Sequence, residues 1–400
     1  MARGLVNKNT SLLALALITA EEIFRRSHFC DFPFFESLCT VIMLLSCGLA
    51  ACKIGVDLYN RKFSVRKFIF IAAGFCYTAF LVLRGQSDAF MVMWLFAAAL
   101  HDVDFEKIIT VSAFSMFAAL FIVYASSFVG IIDNTVEIRI REEEERSRNG
   151  MGFMAPYQAA YFLLFASLAW VYHRKERLSW YEILTLAAGN YVVFWQSDTR
   201  NPYYLSVVLL FIVSVVKVLP QLREYRKWYT VAAVLIPVLC AAVIIFQGAF
   251  ISPNSSEFMR ELSGRLTGRL MLNYEGVHTY GFSFFGKPIE WYIGNEPVWN
   301  PYKSYNWVDS VYLYSLLSYG VPFMLGFFVI TTKLALAAGK KKDTYMVVAL
   351  VLIAILGMVD NYCFRIECNP FYLFFAYEAY QPQKAVSHPC LNIGGSHEIR

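Results

Sequence analysis

The chain predicts an all-α, polytopic integral membrane protein of about 10–12 transmembrane helices with a large extracytoplasmic loop. Three observations carry this. Hydrophobic residues make up 58% of the 400 positions and charged residues only 16%, whereas a water-soluble chain carries about a quarter charged residues. Mean hydropathy is +0.48. The apolar residues fall in long unbroken runs rather than at amphipathic spacing. Such a composition excludes a disordered chain. It also argues against cytosolic catalysis and against a nucleic-acid partner, since the net charge of +5 is small for this length.

Candidate spans run over 11–24, 37–53, 68–83, 89–100, 108–131, 156–172, 181–196, 202–219, 228–251, 308–332, 345–363 and 371–380. The first follows Arg3 and Lys8, but Glu21, Glu22, Arg25 and Arg26 come after Ala20 where a small-residue cleavage site would stand, so it reads as an uncleaved span. The fourth and the last are short enough to be half-helices. Trp180, Tyr203, Tyr204, Trp228 and Tyr229 sit at span ends as interfacial anchors do. One membrane domain over 1–380 and a short cytoplasmic tail over 381–400 result. Cys39, Cys47, Cys76 and Cys240 lie inside apolar runs and no CxxC spacing occurs, so neither a disulfide framework nor a zinc site is expected.

Alternating the connections between two sides sorts the 35 Lys and Arg residues into twenty-one and fourteen. The excess predicts both termini on the cytoplasmic side. Twelve of the fourteen outer cations are Arg, whereas thirteen of the twenty-one inner ones are Lys. Guanidinium grips phosphate oxygens in pairs and keeps its charge, so the outer skew points toward phosphate chemistry.

Two long outer segments interrupt the short connections. The first, 132–155, contains Arg139, Arg141, the run Glu142 to Glu145, Arg146 and Arg148. On a helix, Arg141 with Glu145, Glu142 with Arg146 and Glu144 with Arg148 are i,i+4 pairs, which is the bland alternative to a functional role. The second, 252–307, carries Arg260, Arg265, Arg269, Glu275, His278, Glu290, Glu296 and many aromatics. A loop of this length is usually functional. Arg265 and Arg269 lie one helical turn apart and can close on one anion. Trp291, Tyr292, Trp299, Tyr302, Tyr305 and Trp307 suit sugar stacking or an interfacial loop equally. A short outer turn, 197–202, sets Arg200 where two helices meet, with Asp198 as its obvious partner.

Four patches bear a resemblance. Ser147-Arg148-Asn149-Gly150-Met151-Gly152-Phe153 leads into a span, Thr199-Arg200 precedes another, and Ser263-Gly264-Arg265-Leu266 is followed by a stretch from Gly281 to Gly286. Val308-Asp309-Ser310-Val311-Tyr312-Leu313 closes with Ser318-Tyr319-Gly320-Val321. This set resembles the Wzy-type O-antigen and capsule polymerases of the O-antigen ligase superfamily. Ala155-Pro156-Tyr157 departs from the His-Pro-Asn that many members have. Arg139 with Gly150 and Arg265 with Gly276 also fit the spacing, an Arg followed by Gly, described for some members.

The resemblance implies a GT-C-like membrane enzyme at the outer face of the bacterial cytoplasmic membrane. It would transfer a growing glycan from a polyprenyl diphosphate to a sugar hydroxyl of the next lipid-linked repeat unit. Arg148, Arg200, Arg265 and Arg269 would then stabilise the departing diphosphate. Tyr312 would hydrogen-bond diphosphate or sugar, or simply anchor a helix start. The acceptor hydroxyl needs a base, for which His278, Glu275 and Asp309 are candidates, His278 being preferred for its pKa near neutrality. No metal and no other cofactor is implied. The implied partners are polyprenyl-diphosphate-linked oligosaccharides, membrane lipid, a chain-length regulator and a flippase. A ligase of the same superfamily, or a flippase or transporter with midplane polar groups, are the rival readings.

Overall fold

A computed structural model describes residues 7–85, 87–141, 144–292, 305–366 and 368–373. Glu142, Glu143, Glu296, Trp299 and Tyr302, most of the span expected over 371–380, and the expected tail over 381–400 lie outside the described residues. Helices dominate, in chain order α1 (Lys8–Arg25), α2 (Pro33–Tyr59), α3 (Val65–Leu83), α4 (Ala89–Ala99) and α5 (Phe105–Phe128). A β-hairpin follows, β1 (Val136–Arg141) and β2 (Glu144–Asn149), and then α6 (Pro156–Arg174), α7 (Trp180–Ser197), α8 (Arg200–Val218) and α9 (Arg226–Phe250). The remainder is α10 (Glu257–Arg265), α11 (Arg269–Tyr280), α12 (Val311–Ser318), α13 (Val321–Lys341) and α14 (Thr344–Leu356). Among the described residues five helices, α2, α5, α8, α9 and α13, are long and apolar enough to cross a membrane.

Capping sets several boundaries. Asn7, Ser64, Asp104 and Ser179 each accept a backbone N–H of the following first turn, closing α1, α3, α5 and α7 at their starts. Helix α6 is buried nearly all round, packed by α5, α7, α8 and α14. This explains why its sequence carries Gln158, Tyr161 and Ser167: a helix surrounded by protein need not present an apolar face to lipid. One such group is used, since Asn190 on α7 donates to Ser167 Oγ at 3.0 Å.

At one end of the bundle, where α2 ends and α5 begins, a buried ion cluster ties the connections together. Lys53, 1% exposed, pairs with Asp57 of the same helix and with Asp102 at 3.2 Å, while Lys62 reaches Asp57 at 2.7 Å. At the opposite end lie the last turn of α1, the hairpin, the starts of α6 and α8, and α10 to α12.

Three expectations need correction. Residues 136–141 and 144–149 pair as antiparallel strands, with Val136 opposite Asn149 and Arg139 opposite Arg146, in place of the helix on which the expected i,i+4 pairs depend. The Val-Glu-Ile-Arg-Ile-Arg start alternates with period two and is β-branched at every second place, which favours strand. The span expected over 308–332 is broken between α12 and α13 at Gly320, whose φ of +85° takes the left-handed region. The span expected over 345–363 stops at Leu356, and a turn carrying Asp360 follows. Helix α4, with 11 residues, is a half-helix as expected, rising about 17 Å against about 30 Å of hydrocarbon.

Candidate functional site: an arginine-lined cavity

A cavity of about 900 Å³ opens among the second group of connections, within the size range of small-molecule sites. Among the described residues six arginines line it, Arg26, Arg148, Arg200, Arg265, Arg269 and Arg365, against four carboxylates, Glu137, Asp198, Asp309 and Asp360. First-turn residues of three helices also face it: Tyr157 and Gln158 of α6, Arg200 and Asn201 of α8, and Arg269, Met271 and Leu272 of α11. Helix N-termini carry unsatisfied N–H groups and about half a positive charge each. Cationic side chains and three such termini on one concave wall make a strongly anion-attracting site.

Arg148 is placed by the hairpin. Beyond β2 the chain turns through Met151 (φ +51°) and Gly152 (φ +88°), where a Cβ would meet Ile132 and Ser127 at 2.9 Å. Phe153 then bridges to Ser27, and Met154 N–H donates to the Arg26 carbonyl at 3.0 Å, which seats Arg26 beside the hairpin exit. Arg148, 9% exposed, donates to the Ser197 carbonyl at 2.8 Å and to Thr199 Oγ1 at 3.2 Å, and pairs with Glu137 at 3.3 Å. Two of the sequence patches, 147–153 and 199–200, thus form one corner.

Asp198 ends α7 in the left-handed region (φ +45°) and turns the chain directly into α8, delivering Arg200 to the cavity wall. Its ion pair is with Arg146 at 3.7 Å, not with Arg200 as expected. Among the described residues Arg200 makes no ion pair, which leaves its guanidinium available to a ligand. Arg265 sits at the exposed rim, paired with Glu261 at 2.7 Å. Arg269 opens α11 behind Gly268, donating to Thr267 Oγ1 at 2.8 Å and pairing with Asp309 at 2.8 Å. Arg365 lies over the Tyr362 ring, 5.4 Å from its centroid.

Four of the five groups predicted to bind diphosphate, the arginines, therefore line one cavity, and Asp309 joins them. The other predicted groups do not. His278 is exposed on α11, its Nδ1 on the Tyr274 carbonyl at 2.8 Å and its ring stacked on Tyr274, away from the cavity lining. Glu275 is exposed on the same helix and is also absent from the lining. Tyr312 is fully buried behind the wall and donates to the Ala354 carbonyl at 2.7 Å, so it anchors α12 against α14 rather than facing a ligand.

Sequence reasoning missed Asp360, Arg26, Arg365, Tyr157 and Tyr161 as lining groups. Asp360 had a signal, a carboxylate inside what reads as an apolar span. Burial lifts the Asp309 carboxyl above the usual range despite Arg269. Burial, and then the charge of Asp309, push Asp360 up to about 7, held back by the Tyr161 hydroxyl, the Tyr362 N–H and Arg269.

The patches at 281–286 and 318–321 also meet. Val321 N–H donates to the Phe284 carbonyl at 2.9 Å and Lys287 N–H to the Leu317 carbonyl at 2.8 Å. Gly286 (φ +70°) and Gly320 (φ +85°) lie back to back, and a Cβ on Gly320 would stand 2.4 Å from Gly286 N. Arg84, at the end of α3, holds the same turn through the Gly286 carbonyl at 3.1 Å. No family model matches the chain, and no curated protein or solved structure matches it either.

Proposed function

We propose that the chain is a membrane glycosyltransferase that polymerises polyprenyl-diphosphate-linked oligosaccharide repeat units into O-antigen, capsular or exopolysaccharide. The supporting observation is the convergence of six arginines and three helix N-termini on one cavity. Diphosphate leaves with its charge already present, so its departure calls for fixed cations more than for a general acid. Arg200 and Arg269 reach that charge from two helix starts, with Arg148 holding the α7–α8 turn and Arg265 at the rim.

On this reading the cavity faces the outer side of the bacterial cytoplasmic membrane, and the Lys53 cluster the inner side, in keeping with the Lys excess there. The arrangement is GT-C-like in placing a soluble-phase site on a helical membrane body. Lipid-linked oligosaccharide is the substrate, with a chain-length regulator and a flippase as partners.

The test is glycan length by gel ladder in cells lacking the chain, complemented with wild type or Arg200→Gln at equal membrane abundance. Single repeat units in both the deletion and the variant support polymerase action. Long glycan that stays on the carrier lipid replaces it with a ligase, and repeat units trapped on the inner leaflet with a flippase.

A further inference from the structure

The six arginines supply charge for a leaving group, but a hydroxyl nucleophile also has to lose a proton, and none of the lining cations can accept one. The cavity offers four carboxylates for that role. Glu137 is taken by Arg148 at 3.3 Å, Asp198 by Arg146 at 3.7 Å and Asp309 by Arg269 at 2.8 Å. Asp360 differs from all three. Among the described residues it makes no ion pair. Its Oδ1 accepts the Tyr362 N–H at 3.0 Å, and Tyr161 lines the cavity beside it.

Its surroundings hold it still. Tyr161 and Tyr362 stack with ring centroids 4.8 Å apart and planes within 3°. The turn that carries it is fastened to α12, because the Val311 N–H donates to the Gly357 carbonyl at 2.8 Å and Ser310 Oγ to the same carbonyl at 3.2 Å. Asp360 lines the cavity with its Oδ1 held by its own turn and with Tyr161 of α6 beside it.

We propose that Asp360 is the general base that takes the proton from the acceptor sugar hydroxyl, an assignment that rests on the polymerase reading above. In the step, the hydroxyl oxygen attacks the anomeric carbon of the donor glycan and forms the new glycosidic bond. The bond from that carbon to the diphosphate oxygen breaks, and its electron pair leaves with the polyprenyl diphosphate. The hydroxyl proton passes to the Asp360 carboxylate and from there to water. Nothing is oxidised or reduced. Asp309, paired with Arg269 at 2.8 Å, acts by keeping Arg269 in place. A carboxyl poised near neutrality fits this work, being ionised often enough to act and basic enough to pull.

The test uses the full chain in membrane vesicles that carry the endogenous lipid-linked repeat units, with glycan lengthening followed against pH for wild type, Asp360→Asn and Asp360→Glu. In parallel, undecaprenyl diphosphate binding to each purified protein is measured by native mass spectrometry. Expected is a loss of about 100-fold or more in lengthening for Asp360→Asn, with undecaprenyl diphosphate binding kept, partial rescue by Asp360→Glu, and a wild-type rate that falls on the acid side of about pH 7. Asp360→Asn lengthening glycan near the wild-type rate overturns the assignment and leaves the polymerase reading standing. Loss of lengthening and of binding together makes Asp360 a structural group and also overturns it. Wild type that binds but never lengthens glycan removes the polymerase reading, and the assignment with it.

Discussion

Arg269 Nε lies 2.8 Å from Asp309 Oδ2 on the cavity wall, so a cation and a carboxylate to which the sequence assigns separate roles, diphosphate ligand and candidate base, form one unit. If Asp309 serves only to hold Arg269, Asp309→Asn lowers lengthening by about 10-fold. Losing the neighbouring negative charge also eases ionisation of Asp360, since that charge is part of what raises it. The acid limb of the pH–rate profile therefore moves to lower pH in Asp309→Asn, and an unmoved limb would assign it to another group.

Asp360 also links pH to stability. Its carboxyl is raised from 3.8 to about 7 by folding, so the folded state resists ionisation that the unfolded chain undergoes freely. The resulting penalty is absent below the unfolded value, grows as pH rises, and is complete once pH passes the folded value. Asp360→Asn removes it. The melting temperature of the variant in detergent should exceed that of wild type by a margin that widens from about pH 5 to about pH 7 and then levels.

Arg148→Lys tests the corner between the hairpin and the α7–α8 turn. Three guanidinium nitrogens serve three acceptors, Ser197 O, Thr199 Oγ1 and Glu137 Oε2, and a single ammonium cannot reproduce that fork. We expect lengthening to drop by about 10-fold or more, together with increased protease cleavage within 132–155, because the hairpin loses its tie to α7.

Tyr312→Phe and His278→Ala should both leave glycan length unchanged. Tyr312→Phe removes one buried hydrogen bond to Ala354 and costs about 1 kcal/mol of stability. A shortened ladder in either variant would place that residue at the site despite its position.

The Lys53 cluster predicts a stability effect without a catalytic one. Lys53→Met leaves the fully buried Asp57 with Lys62 as its remaining ammonium partner and should destabilise by about 1–3 kcal/mol. The double variant Lys53→Met, Asp57→Leu replaces the pair by apolar groups and should recover most of the loss, as read by thermal unfolding.

Much of the helical body was legible because unbroken apolar runs admit little else. The arginines that line the cavity were foreshadowed too, by the bias of Arg over Lys in one set of connections. What the sequence hid were breaks inside apolar runs. Gly320 looks like any glycine in a span until Phe284 and Gly286 press against it, and Asp360 looks like the polar end of a helix that in fact stops at Leu356. The hairpin was hidden by its charges, whose i,i+4 spacing imitates a helix while the period of two lies in Val136 and Ile138. His278 was preferred on intrinsic acidity alone, and nothing in one sequence tells on which face of α11 it stands.

The back-to-back glycines have a mechanical meaning. Because Gly286 and Gly320 touch through their backbones and Arg84 clamps the same turn, the stretch around 284–287 is riveted to the start of α13 and travels with it.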